Sequence, residues 1–322
     1  MHIIAGDIGG TKTLLSLFDA THSGFKTLYA HRFASADYQS FDDLISDFMD
    51  EIGTRDIDAV CLGIAGPVHS ENGHSTAQAT NLPWSLDSQA LSKKTGATKV
   101  SLINDFAAMG YGVTALADED LITLQQGEAR SDSHCIVLGA GTGLGVAQLV
   151  SIDNQYHVIP SEAGHSDFAP FDDDTAALSH YYIRHLGHCS IEHVLSGPGI
   201  SHIFQFVCAA ANCQTSLPHD CEAAMIATST DTDAAANKTM RIFASIYGSV
   251  AGNLALTNLA YGGIYLTGGV AAKNSKLLQT SAFIDAFHHK GKMSRLMPQF
   301  PVHIVSNEHC GLLGAAVAAS RL

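Results

Sequence analysis

The chain has 322 residues with a formal net charge of −14, 46% hydrophobic residues and 15% charged residues. That length leaves room for two domains with sizeable cores, and an acidic balance without a basic stripe excludes a nucleic-acid surface. No apolar run approaches the about 18–20 residues of a membrane span, and no basic region precedes Asp7, so neither a membrane segment nor a signal peptide is expected.

The first predicted element is a short apolar run that enters Gly6-Asp7-Ile8-Gly9-Gly10-Thr11-Lys12-Thr13. Adjacent glycines free the backbone and leave no Cβ between its N–H groups and an approaching ligand. Successive N–H groups in such a turn make a concavity for an anion. Thr11 adds a hydroxyl, and Asp7 is placed to hold a divalent cation directly or through water. Residues 13–18 read equally as a strand or as the start of a helix. Phe41, Leu44, Ile45, Phe48, Met49 and Ile52 then recur at helical spacing behind a capping pair, Ser40 and Asp43. Residues 57–65 read as a buried strand and 85–95 as a second amphipathic helix. Residues 100–103 form a strand that delivers Asn104-Asp105 at its C-terminal end, the edge at which open α/β sheets hold ligands. The same pair also reads as the cap of a helix that begins at Phe106.

A polar loop at 127–133 opens the second half. Gly139-Ala140-Gly141-Thr142-Gly143-Leu144-Gly145, inside a hairpin over 136–149, repeats the pattern of apolar run, glycine-rich turn with threonine, and apolar run. The run ending in Thr267-Gly268-Gly269 gives a third such turn. Helices are expected near 175–185, from Met240 to Leu254 and over 311–320, with a strand at 302–305. Alternating strands and helices make the class α/β. The recurring turns read as two related halves that close on one nucleotide. A Rossmann fold is excluded because no G-x-G-x-x-G is present, and a P-loop fails because Thr11 stands where its second glycine belongs. Seven cysteines without a C-x-x-C pair read as reduced thiols in a cytoplasmic protein. His185-x-x-His188 with His193 has a spacing that a metal can use, but no cysteine or carboxylate set is in register, so zinc is not expected.

The motif from Gly6 to Thr11, Leu102-Ile103-Asn104-Asp105-Phe106, the turn from Gly139 to Gly145, Glu162-Ala163-Gly164-His165-Ser166-Asp167-Phe168-Ala169-Pro170, Leu195-Ser196-Gly197-Pro198-Gly199 and Gly311-Leu312-Leu313-Gly314 together resemble the bacterial glucokinase family. They follow the family order over almost the whole chain. Two positions depart from the family pattern: Lys12, where a neutral residue is often found, and Ala163, where glycine is usual. The resemblance implies a two-domain actin-like ATPase (ribonuclease H-like) fold with the active-site cleft between the domains. It places residues 1–108 and 302–322 in a small N-terminal domain, to which the C-terminal helix returns, and 109–301 in a large one. It implies ATP-dependent phosphorylation of D-glucose at the 6-hydroxyl, with another hexose or an amino sugar as the alternative substrate and a non-catalytic sugar sensor as the third possibility.

By the same resemblance Asp105 is the catalytic base. Asn81, Asn104, Asp105, Glu162, His165 and Glu192 line the sugar pocket; these are the residue types that exchange hydrogen bonds with sugar hydroxyls. ATP is expected on Gly6, Asp7, Ile8, Gly9, Gly10, Thr11, Gly139, Gly141, Thr142, Gly143, Gly268 and Gly269, with Mg2+ near Asp7. The expected partners are glucose and ATP alone, in a cytoplasmic homodimer.

Overall fold

The computed structural model describes residues 1–21, 24–53, 55–80, 82–209 and 213–322, so Asn81 lies outside the described residues. It forms two compact units, Met1–Ala117 with Asn307–Leu322, and Asp118–Ser306.

In the first unit β1 (His2–Ile8), β2 (Lys12–Thr21), β3 (Gly24–Ala34) and β4 (Ala59–Ile64) precede a small antiparallel sheet. That sheet is made of β5 (Val68–Glu71), β6 (His74–Gln78) and β7 (Ser85–Asp87), and is followed by β8 (Lys99–Asn104). The main sheet has the order β3-β2-β1-β4-β8, antiparallel on the β3 side of β1 and parallel on the other. Residues 13–18 are therefore strand. This excludes a P-loop a second time, because a P-loop hands the chain to a helix and this turn closes a hairpin. A central strand covered on both faces reads as an apolar run, and residues Ile3 to Gly6 of β1 do, all buried. Ile4 and Ile8 face a core shared with the helix Phe41–Ile52, whereas Ile3 and Ala5 face one shared with the C-terminal helix Cys310–Ser320.

The capping pair at the head of the first helix is formed: the Asp43 N–H donates to Ser40 Oγ at 3.2 Å, and Ser40 Oγ donates to the Asp43 carboxylate at 2.7 Å. The expected helix over 85–95 starts later. Asp87 accepts the N–H groups of Gln89 and Ala90 at 2.8 and 3.0 Å, so the helix is Ser88–Thr95 and the preceding residues pair as β7.

The second unit contains β9 (Leu121–Gln125), β10 (Cys135–Ala140), β11 (Leu144–Ile152), β12 (Gln155–Ser161), β13 (Gly263–Thr267) and β14 (Val302–Val305). Its sheet runs β12-β11-β10-β13-β14-β9. Setting β9 aside, this is the order and the mix of parallel and antiparallel pairing seen in the first unit. Pairing of β9 with β14 moves the start of this unit ahead of the 127–133 loop and keeps residues 302–305 in its sheet. The helix Ala234–Asn258 is the main support of the core. It starts earlier than its apolar spacing predicts, because Asp233 caps it through the Ala236 N–H at 2.9 Å.

Candidate active site

The turn from Gly9 to Lys12 joins β1 to β2 and closes with the Gly9 N–H on the Lys12 carbonyl at 3.0 Å. Buried Ser35 braces it from outside the motif. Its hydroxyl donates to the Gly9 carbonyl at 2.9 Å, its N–H donates to the Thr11 carbonyl at 3.2 Å, and Thr13 Oγ1 lies 3.0 Å from its Oγ. Both carbonyls are thus turned inward, and among the described residues the N–H groups of Gly10 and Thr11 have no partner. Two unpaired amides beside an exposed threonine hydroxyl form an anion-binding concavity. Gly6 and Ile8 shape the strand that carries the turn. The space for a side chain at Gly6 is filled by Leu15 and Leu62, and Ile8 is in the core.

Asp7, at the end of β1, is part-buried beside the head of the C-terminal helix: a side chain built at Gly311 would stand 3.7 Å from its carboxylate. Burial raises its pKa, against which Lys12 and His309 pull it down. Gly63 on β4 lets the helix Asp105–Val113 approach the sheet, since a Cβ there would meet Ala108 Cβ at 2.9 Å. Asn104 caps that helix: its Oδ1 accepts from the N–H groups of Phe106 and Ala107 at 2.9 and 3.2 Å, and its Nδ2 donates to the Gly66 carbonyl at 3.4 Å. Asp105 follows, with Oδ1 accepting from the Phe106 N–H at 2.9 Å. Burial pushes its carboxyl up to about 6, helped by the charge of Asp7 and opposed by the Phe106 N–H. A carboxylate that titrates near 6 is a base matched to neutral pH.

The second unit places an equivalent turn between β10 and β11. Gly139 lies inside β10, paired with Gly145 and Thr267. The Gly141 N–H donates to the Gly143 carbonyl at 2.8 Å, and the Gly197 N–H donates to the Gly141 carbonyl at 2.7 Å. Thr142 is exposed at the tip, as Thr11 is in the first unit. Glu192 Oε2 accepts the Leu144 N–H at 2.8 Å. Its Oε1 is 4.0 Å from His165 Nδ1, and His165 Nε2 is 3.8 Å from Glu162 Oε2. Glu162, His165 and Glu192 therefore form one chain of side chains beside the turn. The Glu162 side chain is 90% exposed and that of Glu192 30%, so the chain runs from solvent inward.

Two segments reach this place because glycines let them. Gly164 rests on the Leu144 carbonyl, Gly197 on that of Gly141 and Gly199 on that of His193, each too close for a Cβ to fit without displacement. Ala163 has no left-handed backbone, so its extra methyl is tolerated where the family pattern has glycine. Gly268 does need its freedom: its φ is +84°, and it sits against the Ala140 carbonyl. Gly268 and Gly269 are exposed at the end of β13.

The sequence model of the Glucokinase family matches residues 4–322. A glucokinase of Nostoc punctiforme is 39% identical, with 99% of each chain covered. The chain belongs to the glucokinase family. The crystal structure of a glucokinase from an Antarctic psychrotroph superimposes with a TM-score of 0.91 at 31% identity, covering 100% of this chain and 99% of the other. A glucokinase of the ROK family from Streptomyces griseus, crystallised with glucose and AMPPNP, shares the fold at a TM-score of 0.62 and 19% identity over 100% of both chains. The fold class is thereby the two-domain actin-like ATPase fold of α/β type.

Several supporting residues carry no motif. Ser35 stands far along the chain from the turn it braces, and a single serine between two alanines gives no signal. Ser190 and His193 cap the one-turn helix Ile191–Val194 reciprocally and so orient Glu192. Burial lowers the His193 pKa, as do His188 and other neighbouring histidines. Among the spaced histidines, His185 Nδ1 lies 2.7 Å from the Tyr181 carbonyl, His188 Nδ1 faces Asp167 at 3.5 Å, and His193 Nδ1 accepts the Ser190 N–H at 3.1 Å. Among the described residues no group of three or more His, Cys, Asp or Glu side chains is placed to hold a metal. No described helix is long and apolar enough to cross a membrane.

Proposed function

We propose that the protein transfers the terminal phosphoryl group of ATP to the 6-hydroxyl of D-glucose, giving glucose 6-phosphate and ADP. Asp105 is the observation that carries this reading within the family: a part-buried carboxylate, pushed up to about 6, at the C-terminal edge of a sheet and the head of a helix. At neutral pH it is ionised and accepts the proton of the 6-hydroxyl as the oxygen–phosphorus bond forms and the bond to ADP breaks. Because the transition state of such transfers is loose, orienting that hydroxyl is the larger share of its role.

Glu162, His165, Glu192, Asn104 and, by family resemblance, Asn81 bind the sugar hydroxyls in this proposal. Gly10, Thr11 and Thr142 hold phosphate, Gly9 and Gly141, whose own N–H groups are spent within the turns, leave room for it, and Gly268 and Gly269 admit the nucleoside. Asp7 suits Mg2+, a hard cation that takes oxygen ligands and keeps several waters, with the second carboxylate of Asp105 near enough to be felt electrostatically. When bound, the ion neutralises phosphate charge. A homodimer and a cytoplasmic location belong to the same proposal, on family resemblance.

A coupled assay with glucose, mannose, fructose and N-acetylglucosamine tests the substrate. A pocket built on hydrogen-bonded hydroxyls leaves a buried polar group unpaired when a hydroxyl is moved, so glucose is expected to lead in kcat/KM by roughly tenfold or more. Equal or higher kcat/KM for any of the other three contradicts the assignment.

A further inference from the structure

The glycines of the β10–β11 turn differ in what surrounds them. A Cβ at Gly141 would meet nothing within 4 Å. A Cβ at Gly143 would stand 2.5 Å from Glu192 Oε2 and 3.3 Å from its carboxyl carbon. The same Oε2 accepts the Leu144 N–H, one residue further on, at 2.8 Å. Glu192 thus lies across the turn at Gly143 with one oxygen fixed on the backbone and the other toward His165. The turn it lies on is rigid, tied by the Gly141–Gly143 and Gly197–Gly141 hydrogen bonds and backed by Gly164.

We propose that Gly143 is a sugar-positioning residue and not a phosphate-binding one. Its missing side chain is the space that lets Glu192 reach the Leu144 N–H, and this seating aims the carboxylate at a glucose hydroxyl. The inference rests on the reading of glucose as substrate and refines it. The turn then has two working parts: Gly141 and Thr142 face the nucleotide, while Gly143 and Leu144 seat the sugar carboxylate. Neither glycine has a left-handed backbone, so alanine at either position is judged by space alone. At Gly143 the added methyl meets the end of a flexible side chain and no backbone. The carboxylate moves by about an ångström, the Leu144 bond breaks and the fold stays, and a displacement of that size changes binding and turnover by up to roughly 100-fold.

The test is steady-state kinetics of the whole protein and its Gly141→Ala and Gly143→Ala variants, each with a thermal midpoint. Gly143→Ala is expected to raise the glucose KM roughly 10- to 100-fold, leaving the ATP KM within about twofold and the midpoint nearly unchanged. Gly141→Ala is expected to do the reverse, raising the ATP KM and sparing that of glucose. A Gly143→Ala variant with a raised ATP KM and a parental glucose KM overturns the inference. So does a variant that fails to fold, because the glycine then serves the fold and not the sugar. Wild-type protein that does not phosphorylate glucose removes the underlying substrate reading, and this inference with it; wild-type turnover with a parental glucose KM in Gly143→Ala removes this inference alone.

Discussion

At the scale of single residues, Asp105 combines its proposed role in chemistry with a cost in stability. Its pKa rises from 3.8 to about 6 in the folded protein, so between about pH 4 and 6 the native state holds a proton that the unfolded chain has lost. Stability therefore falls as pH rises through that window, and above it the ionised carboxylate destabilises the fold. Each pK unit corresponds to about 1.4 kcal/mol. Asp105→Asn is accordingly expected to raise the thermal midpoint by a few degrees at pH 7.5 and to leave it nearly unchanged at pH 4; a lower midpoint at pH 7.5 would contradict the assigned burial cost. For the same reason kcat/KM of the parent should climb with pH and reach half its plateau near pH 6. Ser35 is a second case, a residue whose hydroxyl holds the Gly9 carbonyl of the first turn and meets Thr13 Oγ1. Ser35→Ala should raise the ATP KM about three- to tenfold with little change in that of glucose, the loss of about one buried hydrogen bond. Equal changes in both constants would show a general loosening instead.

At the scale of elements, the hairpin turns were legible because their signals are local. A glycine pair beside a threonine states its backbone freedom within a few residues, and the apolar spacing of the helix Phe41–Ile52 states its buried face. The Asn104-Asp105 pair was legible as a helix cap, which Asn104 forms, and Asp105 follows it with a raised pKa; the reading of the pair as a ligand site belongs to the proposed function. Element ends were less so, because caps such as Asp87 and Asp233 compete with periodicity for the first turn. What sequence could not show was contact between distant elements, such as the brace of Ser35, the seating of Glu192 or the crossing of Asp105–Val113 with the C-terminal helix. At that crossing Gly314 lies directly on the Ala108 carbonyl, and Gly112 lies on that of Cys310. Backbone cannot yield as a side-chain tip does, so Gly314→Ala is expected to destabilise the protein by about 1–3 kcal/mol or more. A midpoint within about a degree of the parent would mean that the helices separate freely.

At the scale of the whole molecule, the two units repeat one sheet order, and each turns its first hairpin with glycines and an exposed threonine. If both turns hold phosphate, Gly10→Val and Gly141→Val should each weaken ATP binding by roughly tenfold or more, whereas a fold with one phosphate loop would respond only to the first. Unchanged ATP affinity in Gly141→Val would leave the second turn without that role. The reaction itself is tested most directly by turnover and glucose binding measured together in Asp105→Asn. The amide keeps the size and most of the hydrogen bonding of the carboxylate but cannot take the proton. The account predicts glucose affinity within a few-fold of the parent and a kcat lower by roughly 10²–10⁴. Turnover within a few-fold of the parent, with glucose still bound, would contradict it.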